Sequence, residues 1–211
     1  MVKAKRILEI LEREYPDARL VLEFKTPLQL LIATVLAAQC TDERVNLVTN
    51  NLFKKYQKAK DYTNVSIEEL EGDIRSTGFY KNKAKNIVGC CEKIVKDFNG
   101  EVPSTLPALV SLPGVGRKTA NIVLANAFGK PAIGVDTHVY RVSNRLGLAH
   151  SNNPDKVEME LCRIIPEERW IRTGHLLTFH GKKICKAKKP LCNQCVLFEL
   201  CEWPNKEQYY R

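Results

Sequence analysis

Apolar positions recur at helical spacing along most of the chain, and no stretch shows the strict alternation of a half-buried strand. Lys3 to Tyr15 carries Ile7, Leu8, Ile10 and Leu11 as one stripe and predicts a first helix, stopped near Pro16. Thr26-Pro27 reads as an N-cap with proline at the first helical position. The stretch that follows, Leu28 to about Gln39, is apolar on nearly all sides, which places it in the middle of a core. Thr41-Asp42 restarts a helix through Val45, Leu47, Val48, Leu52 and Phe53, and Ser66-Ile67-Glu68-Glu69 has the capping-box pattern for another, ending around Thr77-Gly78. Lys81 to Phe98 sets Ala84, Ile87, Val88, Cys91, Ile94 and Val95 at helical spacing before Asn99-Gly100, and two more helices are expected near Pro154–Ile165 and Glu167–His180. The pattern predicts an all-α chain with short loops punctuated by Gly and Pro, without internal repeats or low-complexity linkers.

Between Ser111 and Arg145 the pattern carries chemistry as well as packing. Leu112-Pro113-Gly114-Val115-Gly116 predicts a tight hairpin: Pro113 fixes its own φ, while the glycines permit φ > 0 and leave backbone N–H groups open to contact. Arg117 to Phe128 follows as an amphipathic helix with Ala120, Val123, Leu124 and Ala127 on its apolar face, ended by Gly129 before Pro131. The positive end of that helix is a seat for a phosphate. Asp136 is the expected N-cap of a further helix that puts Val139 and Val142 on one face. The first helix climbs about 18 Å at ~1.5 Å per residue. An extended Gly129–Val135 segment returns about 23 Å at ~3.3 Å per residue, so the chain can bring Asp136 beside Lys118. A lysine in a first helical turn is ordinarily solvated, and an aspartate before a helix is ordinarily only a cap. Their joint occurrence after the GVG hairpin makes them a candidate catalytic pair. His138 reads as a packing residue.

Charge narrows the partner. Thirty-three Lys and Arg against 24 Asp and Glu leave a net charge of +9 in 211 residues, which suggests a polyanion without separating DNA from RNA or a membrane surface. Lys182, Lys183, Lys186, Lys188 and Lys189 are locally dense; such a run is usually a solvated face, but beside the hairpin it favours nucleic acid. No apolar run approaches the ~20 residues that cross a bilayer. The basic start MVKAKRILEILEREY has no cleavage pattern, so a folded helix in a cytoplasmic protein is expected, nucleoid-associated in a prokaryote. A length of 211 residues suits one domain or two small ones.

Half of the eight cysteines, Cys185, Cys192, Cys195 and Cys201, fall at C-x6-C-x2-C-x5-C spacing. Four thiolates so close satisfy a tetrahedral zinc or an iron–sulfur cluster, and spacing by itself leaves both open; disulfides are disfavoured without a secretion signal. Cys40, Cys90, Cys91 and Cys162 lie in apolar helical contexts and read as small core residues.

LPGVGRKTAN followed by GVDTHVYRVSNR, the LLIATVLAAQCTD stretch around Gln39 and the terminal cysteine cluster resemble, nearly end to end, the endonuclease III family of base-excision repair DNA glycosylases. The resemblance implies a helix-hairpin-helix motif, with Lys118 and Asp136 as the catalytic pair and a [4Fe-4S] cluster held by Cys185, Cys192, Cys195 and Cys201. It implies two helical domains with a cleft between them: a six-helix domain over 21–131 containing the hairpin, and a domain of 1–20 plus 132–211 carrying the cluster loop. To reach a base in a duplex the nucleotide must be flipped out and the gap filled. In the family such roles fall to the glutamine of AQ-x-TD, here Gln39, and to the residue before the Tyr of G-x-Y, here Phe79 where leucine is usual. Core packing is the other reading of Phe79. Leu112, Gly114 and Gly116 of the hairpin, and Lys189 of the cluster loop, are expected to contact DNA, while the His180-Gly181 step matches the family with no role assigned.

A lysine amine can displace a base from its sugar, form a Schiff base and cut the 3′ side by β-elimination. The leading expectation is therefore a monomeric, bifunctional DNA glycosylase and AP lyase acting on oxidised pyrimidines or abasic sites in duplex DNA. A relative specialised for mismatched thymine or adenine is a second reading, which the retained Lys118 disfavours. A non-catalytic helix-hairpin-helix module, in which the Lys118 and Asp136 pairing is accidental, is a third.

Overall fold

The structure, a computed structural model, describes residues 2–210. In chain order the α-helices are α1 (Val2–Glu14), α2 (Pro27–Leu36), α3 (Asp42–Lys55), α4 (Ala59–Asn64), α5 (Ile67–Ile74), α6 (Tyr80–Asp97), α7 (Leu106–Val110), α8 (Arg117–Phe128), α9 (Thr137–Arg145), α10 (Pro154–Ile164) and α11 (Trp170–Lys183). No strand occurs among the described residues, so the fold is all-α. The chain divides into two compact units, Val21–Gly129 and Met1–Leu20 with Lys130–Arg211.

In the middle unit α2 is the central helix. Thr26 accepts the Gln29 N–H at 3.2 Å and Pro27 pre-sets the first helical φ, a start worth about 1 kcal/mol. Leu28 and all seven residues from Leu30 to Leu36 are buried, with α8, α6 and α3 packed around them. Truncating an enclosed leucine such as Leu30 or Leu31 costs about 2–5 kcal/mol. The helix stops at Leu36 and not near Gln39: Ala37 is its C-cap, Ala38 is exposed, and Gln39 sits at φ 53°, which no right-handed helix accommodates. Thr41 then caps α3 by accepting the Arg44 N–H. Only Val45, Thr49 and Leu52 of α3 are buried; Leu47, two residues on from Val45, is turned to solvent. Ser66 caps α5 through the Glu69 N–H, and a 3-10 turn over Arg75–Thr77 carries the chain to Gly78. Seven α-helices fall in this unit; α4 and α7, six and five residues long, are too short to show a period in the sequence. Burial sets α4: Tyr62 is fully enclosed, its ring 4.9 Å from that of Tyr56, and α4 lies on α6.

In the second unit α1 buries Ile7, Leu8 and Leu11 and packs on α11, which also receives α9. Val139, Val142, Leu161, Leu176, Leu177 and Leu197 complete one core. Arg172 of α11 donates to the carbonyls of Tyr15, Pro16 and Ala18, fixing the chain that leaves α1. The close approach of α9 and α11 depends on Gly181, where an added Cβ would stand 2.8 Å from the His138 Cβ.

Candidate nucleic-acid interface and active-site residues

The hairpin between α7 and α8 is closed by Val115 N–H donating to Leu112 O at 3.1 Å. Gly114 is in the left-handed region at φ 74°, and a Cβ on it would lie 2.7 Å from Asn86 Cβ on α6, so both its backbone and its neighbours require glycine. Gly116 is the N-cap of α8 and supplies no side chain to the first turn, whose leading N–H groups have no intrahelical acceptor. Open space surrounds Gly116, so an anion can approach this positive helix end. Leu112 and Val115 are buried; the Leu112 side chain belongs to the core, and only its backbone takes part in the turn surface. Lys118, the second residue of α8, is exposed.

In the other unit Asp136 caps α9. Its Oδ1 accepts from the His138 N–H at 2.8 Å and the Val139 N–H at 2.7 Å, so both cap bonds end on one oxygen and the carboxylate is rigidly oriented. Two further α9 residues are ones the sequence pattern did not single out. Arg141 donates to Cys185 O, Gly181 O and Thr137 O and lies 3.1 Å from His138 Nδ1. Arg145 donates to Lys186 O at 2.9 Å, approaches Cys185 Sγ at 3.4 Å, and stacks 3.8 Å over the Trp203 ring. Their i, i+4 spacing put them on one face of α9, a weak signal that something there binds carbonyls.

Gln39 and Phe79 are both exposed, Phe79 by 63%, so Phe79 is not a core residue. Both have left-handed backbones, φ 53° and 50°, as does exposed Lys189 at 51°. For a bulky side chain such as Phe this conformation costs about 1–2 kcal/mol, and strain of this kind gathers at functional sites.

The four clustered cysteines are free thiols. The loop that carries them is held by Leu191 N–H to Ile184 O, by turns at Cys192–Gln194 and Phe198–Leu200, and by Glu202 N–H to Arg145 O. Burial pushes the Cys195 thiol up to about 11, with negative charge on Cys185, Cys201 and Cys192 adding to the rise. Thiols kept protonated by burial give up their protons to a shared cationic centre, and four sulfur donors on one loop fit an iron–sulfur cluster. Among the described residues no three His, Cys, Asp or Glu side chains are gathered tightly enough for a single metal ion. His180, 1% exposed, stands between Tyr15 OH (3.1 Å from Nδ1) and Cys195 Sγ (3.6 Å from Nε2); burial lowers its pKa to about 4, so it is neutral.

Comparison with known proteins agrees with these features. The profile of the HhH-GPD superfamily of base excision DNA repair proteins matches residues 32–167, and that of the iron-sulfur binding domain of endonuclease III matches residues 185–201. The chain is 50% identical to endonuclease III of Synechocystis sp. over 94% of its length and 91% of that protein's. It is 43% identical to endonuclease III of Escherichia coli K12 over 98% and 99%. A solved trapped endonuclease III–DNA covalent intermediate superposes with a TM-score of 0.94 at 48% identity, covering 99% of this chain and 97% of that one. A thermostable thymine-DNA glycosylase superposes at 0.85 with 26% identity, covering 99% and 96%. The chain belongs to the endonuclease III family, the DNA glycosylases and AP lyases of base-excision repair that carry a [4Fe-4S] cluster.

Proposed function

We propose that Lys118 is the nucleophile and Asp136 the carboxylate of a bifunctional glycosylase acting on oxidised pyrimidines in duplex DNA. The observation that carries this reading is an exposed lysine in the first turn of a helix whose N-cap is a bare glycine. A phosphate seated on that turn sets a sugar within reach of the amine. The amine lone pair bonds to C1′ as the glycosidic bond breaks with its electron pair leaving on the base. Loss of a proton from nitrogen and opening of the sugar ring give a Schiff base. Removal of a C2′ proton then expels the 3′ phosphate. Asp136, oriented by its two amides, stabilises positive charge developing on the sugar and assists proton transfer.

Gln39 and Phe79 fill the gap left by the extruded nucleotide, the hairpin backbone at Leu112, Gly114 and Gly116 grips a phosphate, and Lys189 adds a surface contact. Cys185, Cys192, Cys195 and Cys201 are the cluster ligands; when bound, the cluster supplies the positive charge that offsets four thiolates and closes the loop. The domain of 21–131 carries the hairpin and that of 1–20 plus 132–211 the cluster. The protein works as a cytoplasmic monomer on DNA; no described helix is long and apolar enough to cross a membrane. Identity of 48% to endonuclease III against 26% to the thymine-DNA glycosylase favours damage repair over mismatch specialisation. The test is a duplex with one thymine glycol. Base release followed by a cut on its 3′ side is expected, and an untouched strand, or release without cutting, would count against the lyase assignment.

A further inference from the structure

Lys83 lies on α6 yet is only 4% exposed, and its Nζ donates to two backbone carbonyls, Leu36 O and Thr77 O, each at 2.8 Å. A helical lysine ordinarily reaches water; this one is buried between the ends of two other segments. Leu36 is the last residue of α2, so its carbonyl is among those no intrahelical bond reaches. Thr77 is the last residue of the 3-10 turn after α5. Burial disfavours the charge on this amine, and the carbonyl dipoles and the two direct bonds work against that cost. Just beyond Leu36 the chain turns out to exposed Gln39, and just beyond Thr77 it turns out to exposed Phe79; both have left-handed backbones. One ammonium therefore ties together the roots of two strained projections that are far apart in sequence.

We propose that Lys83 is a positioning residue that sets Gln39 and Phe79 at a fixed spacing, so that both enter a duplex together. This rests on the reading of those two side chains as the groups that replace the extruded nucleotide. Without Lys83 each turn keeps its own geometry, but the spacing between the two projections is no longer enforced. A misplacement near 1 Å is enough to lose rate. The defect belongs to duplex DNA alone, since a single strand has no partner strand or continuous stack to penetrate.

The test uses full-length Lys83→Met and Lys83→Gln beside Gln39→Ala and Phe79→Ala, with borohydride trapping on an abasic site in a duplex and in a single strand. Lys83→Met is expected to lose about 10–100-fold in trapping rate on duplex while staying within about twofold on single strand. Equal losses on both substrates, or no loss on duplex, overturn the proposal. If Lys83→Met does not fold, Lys83→Gln, which keeps a donor too short to bridge both carbonyls, carries the same comparison. Failure of both to fold while Gln39→Ala and Phe79→Ala fold would make Lys83 a core strut only and also overturn it. Should Gln39→Ala and Phe79→Ala leave duplex trapping unchanged, the underlying reading falls, independently of Lys83.

Discussion

Replacing Gly114 by alanine perturbs the hairpin in two separable ways. At φ 74° any L side chain is strained, which costs about 1–2 kcal/mol. The new Cβ would also stand 2.7 Å from Asn86 Cβ and 2.9 Å from Asn86 Cγ. Carbon contacts relax at ~3.5 Å or more, so the hairpin and α6 must part by about 0.8 Å. The Cβ of Asn86 is fixed to a helix backbone and cannot rotate away, which makes the clash an overpacking of about 1–3 kcal/mol. Together the two effects predict a loss of about 2–5 kcal/mol, a large share of the ~5–15 kcal/mol typical of a folded domain. Urea unfolding followed by far-UV circular dichroism measures it, with Gly116→Ala as the internal control. Gly116 has φ −86° and open space around it, so alanine there should cost about 1 kcal/mol or less. DNA affinity should fall in Gly114→Ala as well, since the displaced turn no longer presents its amides to a phosphate. Equal stability of the two variants would refute the claim that the hairpin requires glycine at 114.

Asp136→Asn keeps a capping oxygen and should leave stability within a few tenths of a kcal/mol, whereas Asp136→Ala loses both cap bonds and about 1 kcal/mol. Both should lose strand cleavage, and full cleavage by Asp136→Asn would reduce the residue to a cap. Duplex affinity should fall linearly on a log–log plot against salt, with Lys189→Ala reducing the slope by about 1; a flat dependence would contradict the basic-surface argument. Cys195→Ser should purify with depleted iron and labile sulfide, while Cys162→Ser, on α10, keeps both. Full iron in Cys195→Ser, or stoichiometric zinc in the wild type, would overturn the cluster assignment.

Local signals made most of the helices legible. Thr26-Pro27, Thr41, Ser66 and Asp136 each announce a helix start through atoms within three residues of it, and all four cap as such sequences do. What depends on distant atoms was not legible. The apolar run beyond Leu36 reads as helix, but its end is set by Gln39 turning left-handed, a conformation that no glycine announces there. Leu112 reads as part of an open turn, yet its side chain is enclosed. Lys83 has the local sequence of any solvated helical lysine, and only the folded backbone supplies the two carbonyls that bury its amine. His180 and Gly181 show their meaning once Tyr15, Cys195 and His138 are seen around them.

The central chemical claim is that one amine, that of Lys118, bonds to the sugar. Its most direct measurement is borohydride trapping on duplex DNA containing thymine glycol, followed by protease digestion and mass mapping of the adduct. The account predicts a single adduct on the peptide containing Lys118, and none from a Lys118→Gln protein that still folds and binds DNA. An adduct on another lysine, or undiminished trapping by Lys118→Gln, would contradict it.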